Sequence, residues 1–128
     1  MSDNIAVTGP FEPADGVTTL GELRDLVAQF VAARDWQSFH SPKNLAMSIA
    51  IEAAEIMEHF QWYTTEESTR RMDDADLRAE MADEVADVLI YCLSLANSTG
   101  IDISQAIRTK IARNEGRFPI DRVRGRLG

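Results

Sequence analysis

Four carboxylates stand out because of the company they keep. Glu52 and Glu55 fall in the middle of residues 45–57, a stretch otherwise almost wholly apolar, and Glu84 and Asp87 lie just before the apolar run Val88-Leu89-Ile90-Tyr91-Cys92-Leu93. Each pair is three residues apart, so on a helix both members project from one face. A carboxylate carried into an apolar setting must be protonated, paired or bound to a metal, because desolvating its charge is costly. The two stretches offer no basic partner: Lys43 stands only at the start of the first, and Arg78 precedes the acids of the second. A shared divalent cation resolves the problem. Oxygen-only ligands select a hard ion, Mg²⁺ with Mn²⁺ as substitute, over zinc or copper. A single Glu pair at this spacing is more often part of a solvated helix face; two pairs, each in an otherwise apolar helix, favour a metal site. Glu58, Glu80 and Asp83 read as solvated neighbours, with Glu80 a further ligand candidate. Di-iron bundles use Glu-x-x-His pairs, a spacing His59 does not supply, and one cysteine with two histidines is too few for zinc.

The elements that must position these acids are helical. Apolar residues Leu20, Leu23, Val27, Phe30 and Val31 recur at spacings of three and four, predicting a first helix from Thr18 or Thr19 to about Asp35. Ser41-Pro42 reads as a cap and first position of a second helix running to about Tyr63. Apolar nearly all round, this helix is expected to be buried in the domain or between subunits. Thr64-Thr65-Glu66-Glu67 marks a break and a new cap for a short acidic segment. A long third helix, carrying Glu84 and Asp87, is expected from Asp74 or Asp76 to Asn97, with Gly100 ending it. Asp102 or Ser104 caps a fourth that reaches about Phe118 before Pro119. Strand signals are absent. The expected class is all-α, four main helices in a bundle, with residues 1–17 a flexible leader, 18–119 the domain and 120–128 a carboxyl-terminal tail.

With 128 residues and 45% hydrophobic content, one domain is expected. The formal net charge of −8 disfavours binding to DNA or RNA, while leaving room for a small polyphosphate held through a cation. No apolar run is long enough for a membrane span, and Cys92 alone cannot form an internal disulfide, which suits the cytoplasm. Lys110, Asn114 and Arg117 recur at i, i+4 and i+7, so they share one helical face; a phosphate-binding row and a solvated basic face are equally ready readings of that spacing. Trp36, Phe39, His40, Trp62 and Tyr91 could stack on or hydrogen-bond a base, although each aromatic taken singly is more often core.

Glu52-x-x-Glu55 followed by Glu84-x-x-Asp87 resembles the metal motif of the MazG-like all-α nucleoside triphosphate pyrophosphohydrolases. Flanking segments are similar to the dCTP pyrophosphatase branch of that family: Asp35-Trp36-x-x-Phe39-His40-x-Pro42-x-Asn44-Leu45, Phe60-Gln61-Trp62, Asp87-Val88-Leu89-Ile90-Tyr91 and Lys110-x-x-x-Asn114-x-x-Arg117-Phe118-Pro119. The resemblance implies Mg²⁺-dependent cleavage of a nucleoside triphosphate, dCTP or a modified dCTP, to the monophosphate and pyrophosphate. It implies Glu52, Glu55, Glu84 and Asp87 as metal ligands, with Glu55 or Glu52 the general base. Lys110, Asn114 and Arg117 would meet the phosphates, and Trp36, Phe39, His40, Trp62 and Tyr91 the base. A homo-oligomer is implied too, a tetramer before a dimer. The alternatives are hydrolysis of dUTP or another triphosphate by a relative of the same superfamily, and a non-enzymatic helical module whose acids pair with a partner's basic residues.

Overall fold

The computed structural model describes residues 12–126, all of whose regular structure is helical. Four long helices, α1 (Leu20–Ala33), α2 (Pro42–Glu58), α4 (Ala75–Thr99) and α5 (Ile103–Arg117), are accompanied by two short ones, α3 (Thr65–Arg71) between α2 and α4 and α6 (Ile120–Val123) after α5. A single 3₁₀ turn, Gln37–Phe39, links α1 to α2. The all-α class is therefore as expected. Most of the leader lies outside the described residues; its last part turns through a bond from the Val17 N–H to the Ala14 carbonyl.

Short polar side chains start the helices where local chemistry says they should. The Glu22 N–H donates to Thr19 Oγ1, Asn44 N–H to Ser41 Oγ, Glu67 N–H to Thr64 Oγ1 and Gln105 N–H to Asp102 Oδ1. Asp74 accepts from both Asp76 and Leu77. Each bond satisfies a donor that the first turn of a helix leaves free. Gly100 closes α4 at φ 71°, a left-handed conformation that glycine adopts without a Cβ clash. Two boundaries differ from expectation. The second helix stops at Glu58 rather than Tyr63, because the chain tightens: His59 N–H bonds to the Ile56 carbonyl and Phe60 N–H to that of Met57, three residues back instead of four. The expected tail contains the one-turn α6.

The third expected helix, α4, is the hub, packing most extensively on α2 and then on α1. Val27 and Val31 of α1 meet Leu93 of α4, with Ile103 at the start of α5 against them. Leu45 of α2, 1% exposed, is the most deeply buried large side chain. Arg24 and Asn97 staple α1 to α4 reciprocally: Arg24 Nε donates to Asn97 Oδ1 at 3.0 Å, and Asn97 Nδ2 to the Arg24 carbonyl at 3.0 Å. Arg24 Nη1 also donates to the Ile101 carbonyl at 2.6 Å, covering the turn after α4.

Within the single chain the second helix is covered only in part. Leu45 is the buried residue of α2, while Met47, Ile51 and Met57 stand more than half exposed. The packed unit of α1, α2 and α4 has too few helices to wrap α2 on all sides. The remaining long helix, α5, does not lie along it, and Ile107 and Ile111 of α5 are about half exposed as well. No described helix is long and apolar enough to cross a membrane.

Candidate active site

The packing of α2 on α4 brings three of the four acids together. One carboxylate oxygen from each of Glu52, Glu84 and Asp87 lies within 4.8 Å of the others. Glu52 and Glu84 are half-buried and Asp87 is exposed, so in the single chain the acids stand less deeply than the apolar pattern implied. Glu55 is exposed and offers no oxygen to this tight group. It is close enough to be felt: partial desolvation, then the negative charges of Asp87, Glu84 and Glu55, hold the Glu52 carboxyl above its ordinary range.

Among the described residues no lysine or arginine forms an ion pair with these acids. The one basic side chain beside them is His59, whose Nε2 lies 3.8 Å from Glu84 Oε1, too far for a hydrogen bond. Three crowded carboxylates lacking a counter-cation, all of them oxygen donors, fit a hard divalent ion. Nitrogen and sulfur donors for a softer metal are missing from the group.

The expected base-contacting residues are only partly assembled. His40 and Tyr91 are neighbours, with ring centroids 6.3 Å apart and planes tilted by 35°. His40 Nδ1 lies 2.8 Å from Ser94 Oγ, a hydrogen bond that ties the connector before α2 to the middle of α4. Trp36 packs edge-on against Phe30 at 5.9 Å, and the Arg34 guanidinium caps the Phe30 ring at 3.7 Å. Phe39 and Trp62 stand out into solvent, Trp62 at 83% exposure. Lys110 and Arg117 are exposed and Asn114 half-buried on α5. Since α5 does not pack along α2, the chain alone does not set this row against the acids. Ser94 was not among the residues singled out from the sequence. Its signal was available: it is the lone serine in the apolar run 88–96, three residues beyond Tyr91 on the same helical face.

Residues 47–126 match the MazG-like family. The chain belongs to that family. The match takes in all four acids and the Lys110–Arg117 row. The MazG-like chain is also 37% identical over 123 residues to bovine (Bos taurus) dCTP pyrophosphatase 1, covering 96% of this chain and 72% of that protein. It is 39% identical over 101 residues to the human (Homo sapiens) dCTP pyrophosphatase 1, covering 79% of this chain and 59% of that one. A pyrophosphatase structure from Archaeoglobus fulgidus superposes with a TM-score of 0.74 at 36% identity, covering 84% of this chain and 99% of the other. A dATP/dGTP diphosphohydrolase of Cyanophage S-2L is 56% identical over 34 residues, 27% of this chain and 32% of its own. The chain is an enzyme of the nucleoside triphosphate pyrophosphohydrolase class.

Proposed function

We propose that this enzyme hydrolyses a cytosine deoxynucleoside triphosphate, dCTP or a base-modified dCTP, to the monophosphate and pyrophosphate, with Mg²⁺ as its cation and Mn²⁺ as a substitute. The observation that carries the reading is the convergence of Glu52, Glu84 and Asp87 without a counter-cation. Such a surface repels a triphosphate unless a cation stands between them. The choice of dCTP is supported by the bovine and human relatives, which match most of the chain.

In this reading Glu52, Glu84 and Asp87 hold the ion. When bound, it draws charge from the α-phosphoryl group and lowers the pKa of a coordinated water. Glu55, one turn along α2 from Glu52 and outside the tight group, is free to accept the proton of the attacking water. Lys110, Asn114 and Arg117 bind the β- and γ-phosphates. Trp36, Phe39, His40, Trp62 and Tyr91 hold the base, the exposed Trp62 closing over it by stacking. The phosphate row reaches the acids when copies of the chain assemble, a homotetramer before a dimer. The uncovered Met47, Ile51 and Met57 of α2 and Ile107 and Ile111 of α5 support that assembly. The net charge of −8 argues against nucleic-acid partners, and the free thiol of Cys92 suits the cytoplasm.

A panel of deoxynucleoside and nucleoside triphosphates, scored for pyrophosphate release with and without Mg²⁺, tests this. dCTP should lead, and chelation should abolish turnover. Orthophosphate as the sole inorganic product, or full activity in a chelator, would overturn the reaction; a ranking led by dUTP would move the base assignment alone.

A further inference from the structure

The bond between His40 and Ser94 has a direction, and the surroundings of Ser94 fix it. A serine inside a helix ordinarily gives its hydroxyl proton to a carbonyl one turn back. Ser98 and Thr99, in the same helix, both do so, to the Leu95 carbonyl at 3.1 and 2.7 Å. Ser94 makes no such bond among the described residues; its partner is His40 Nδ1 at 2.8 Å. Ser94 is also the one buried polar residue of the described core, at 5% exposure, so water is a poor alternative acceptor. If Nδ1 carried a hydrogen and donated it to Oγ, the serine proton would be left buried with nowhere to go. The hydroxyl therefore donates to Nδ1, and a neutral imidazole accepting there carries its hydrogen on Nε2. Among the described residues Nε2 has no protein partner, and it is not a sealed-off nitrogen.

We propose that Ser94 is a positioning residue that locks His40 in the Nε2–H tautomer, so that the ring presents a hydrogen-bond donor to the nucleobase. The nucleotide half of the proposal rests on the reading of His40 as part of the base pocket. A fixed donor discriminates among pyrimidines. Ring nitrogen N3 of cytosine accepts a hydrogen bond, whereas that of uracil or thymine carries a hydrogen and opposes a donor. A site built on a committed hydrogen bond rejects the analogue that cannot make it. Ser94 thus acts on substrate choice without touching the substrate.

The test reads the tautomer directly. Long-range ¹H–¹⁵N correlation spectra of the full chain, at a pH where imidazole is neutral, report which ring nitrogen is protonated, and with only two histidines the His40→Asn variant assigns the signal. Wild type and Ser94→Thr should show Nε2–H; Ser94→Ala should show a mixture with Nδ1–H. In parallel, Ser94→Ala should raise KM for dCTP about five- to tenfold, on the scale of one hydrogen bond, with little change in kcat. Its KM for dUTP should move less, so that the preference narrows, and Ser94→Thr should restore it. An Nδ1–H tautomer in the wild type, which requires no variant to fold, overturns the proposal, as does a tautomer that Ser94→Ala leaves unchanged. If the tautomer shifts but neither Ser94→Ala nor His40→Asn alters the dCTP-to-dUTP ratio, the base-pocket reading is what fails, and the specificity role falls with it.

Discussion

The two halves of α4 solve opposite problems. Its carboxyl-terminal half is complete in the single chain: Leu93, Ser94 and Ala96 are buried, and Asn97 is bonded reciprocally to Arg24. Its amino-terminal half carries Glu84 and Asp87 beside exposed Val85, with exposed Leu89 and Ile90 just beyond the midpoint and like charges from α2 facing the acids. One half holds the fold together through contacts already made. The other concentrates unpaired charge and uncovered apolar surface, which the proposed cation and the proposed assembly would meet. A helix this long lets the first half bear the cost of the second, and stability and chemistry become separable by position.

That separation can be broken in four ways. The largest effect should come from Glu84→Gln or Asp87→Asn. Pyrophosphate release should fall by more than about a hundredfold, the loss that even an outer partner of a metal ligand can cause. Circular dichroism should remain fully helical, and Mg²⁺ should raise the Tm of wild type but not of the variant. A variant that unfolds would show that the two halves are not separable. Leu45→Ala should do the converse. Removing this side chain, 1% exposed, should lower unfolding free energy by about 2–5 kcal/mol in denaturant melts. Turnover under conditions where the variant is folded should be little changed. Arg24→Ala, which strips one hydrogen bond from Asn97 in the satisfied half and one from the turn after it, and orphans the Asn97 oxygen, should cost about 1–3 kcal/mol by the same melts. The smallest effect is one of pH. The Glu52 carboxyl is raised from 4.5, so the metal-free folded state binds its proton more tightly than the unfolded chain does. Stability from this group is therefore greatest below 4.5 and is lost as pH rises through the raised value. Thermal melts in chelator should show that decline, and Glu52→Gln should remove it.

How much of this was readable in the residues follows from how local each feature is. The caps at Thr19, Ser41, Thr64, Asp74 and Asp102, and the stop at Gly100, depend on neighbours within one turn, and all appear where short polar side chains and glycine fall in the chain. Glu84 and Asp87 share a face by helical arithmetic alone. Their meeting with Glu52 depends on how α2 crosses α4, and so does the exclusion of Glu55 from the tight group, which the repeated three-residue spacing could not reveal. The early end of α2 is a tightening of backbone bonds at His59 and Phe60 that leaves the apolar pattern unbroken. The uncovered state of Met47, Ile51 and Met57 was hidden for another reason. Their pattern demands burial without saying whether the cover comes from the same chain. Ser94 was legible as an oddity, a hydroxyl among apolar residues, but its partner lies 54 positions away.

The stripe Glu84, Asp87, Tyr91, Ser94 advances by three, four and three residues, so one face of α4 works as a ruler. Asp87 and Ser94 are separated by two turns, or about 10 Å along the axis, comparable to the reach of a nucleotide from phosphate to base. In the proposed reading, one rigid rod thereby gauges the spacing between the metal end and the base end of a bound substrate. Inserting a single residue after Tyr91 would swing Ser94 about 100° around the rod, keeping every side chain yet losing the measure.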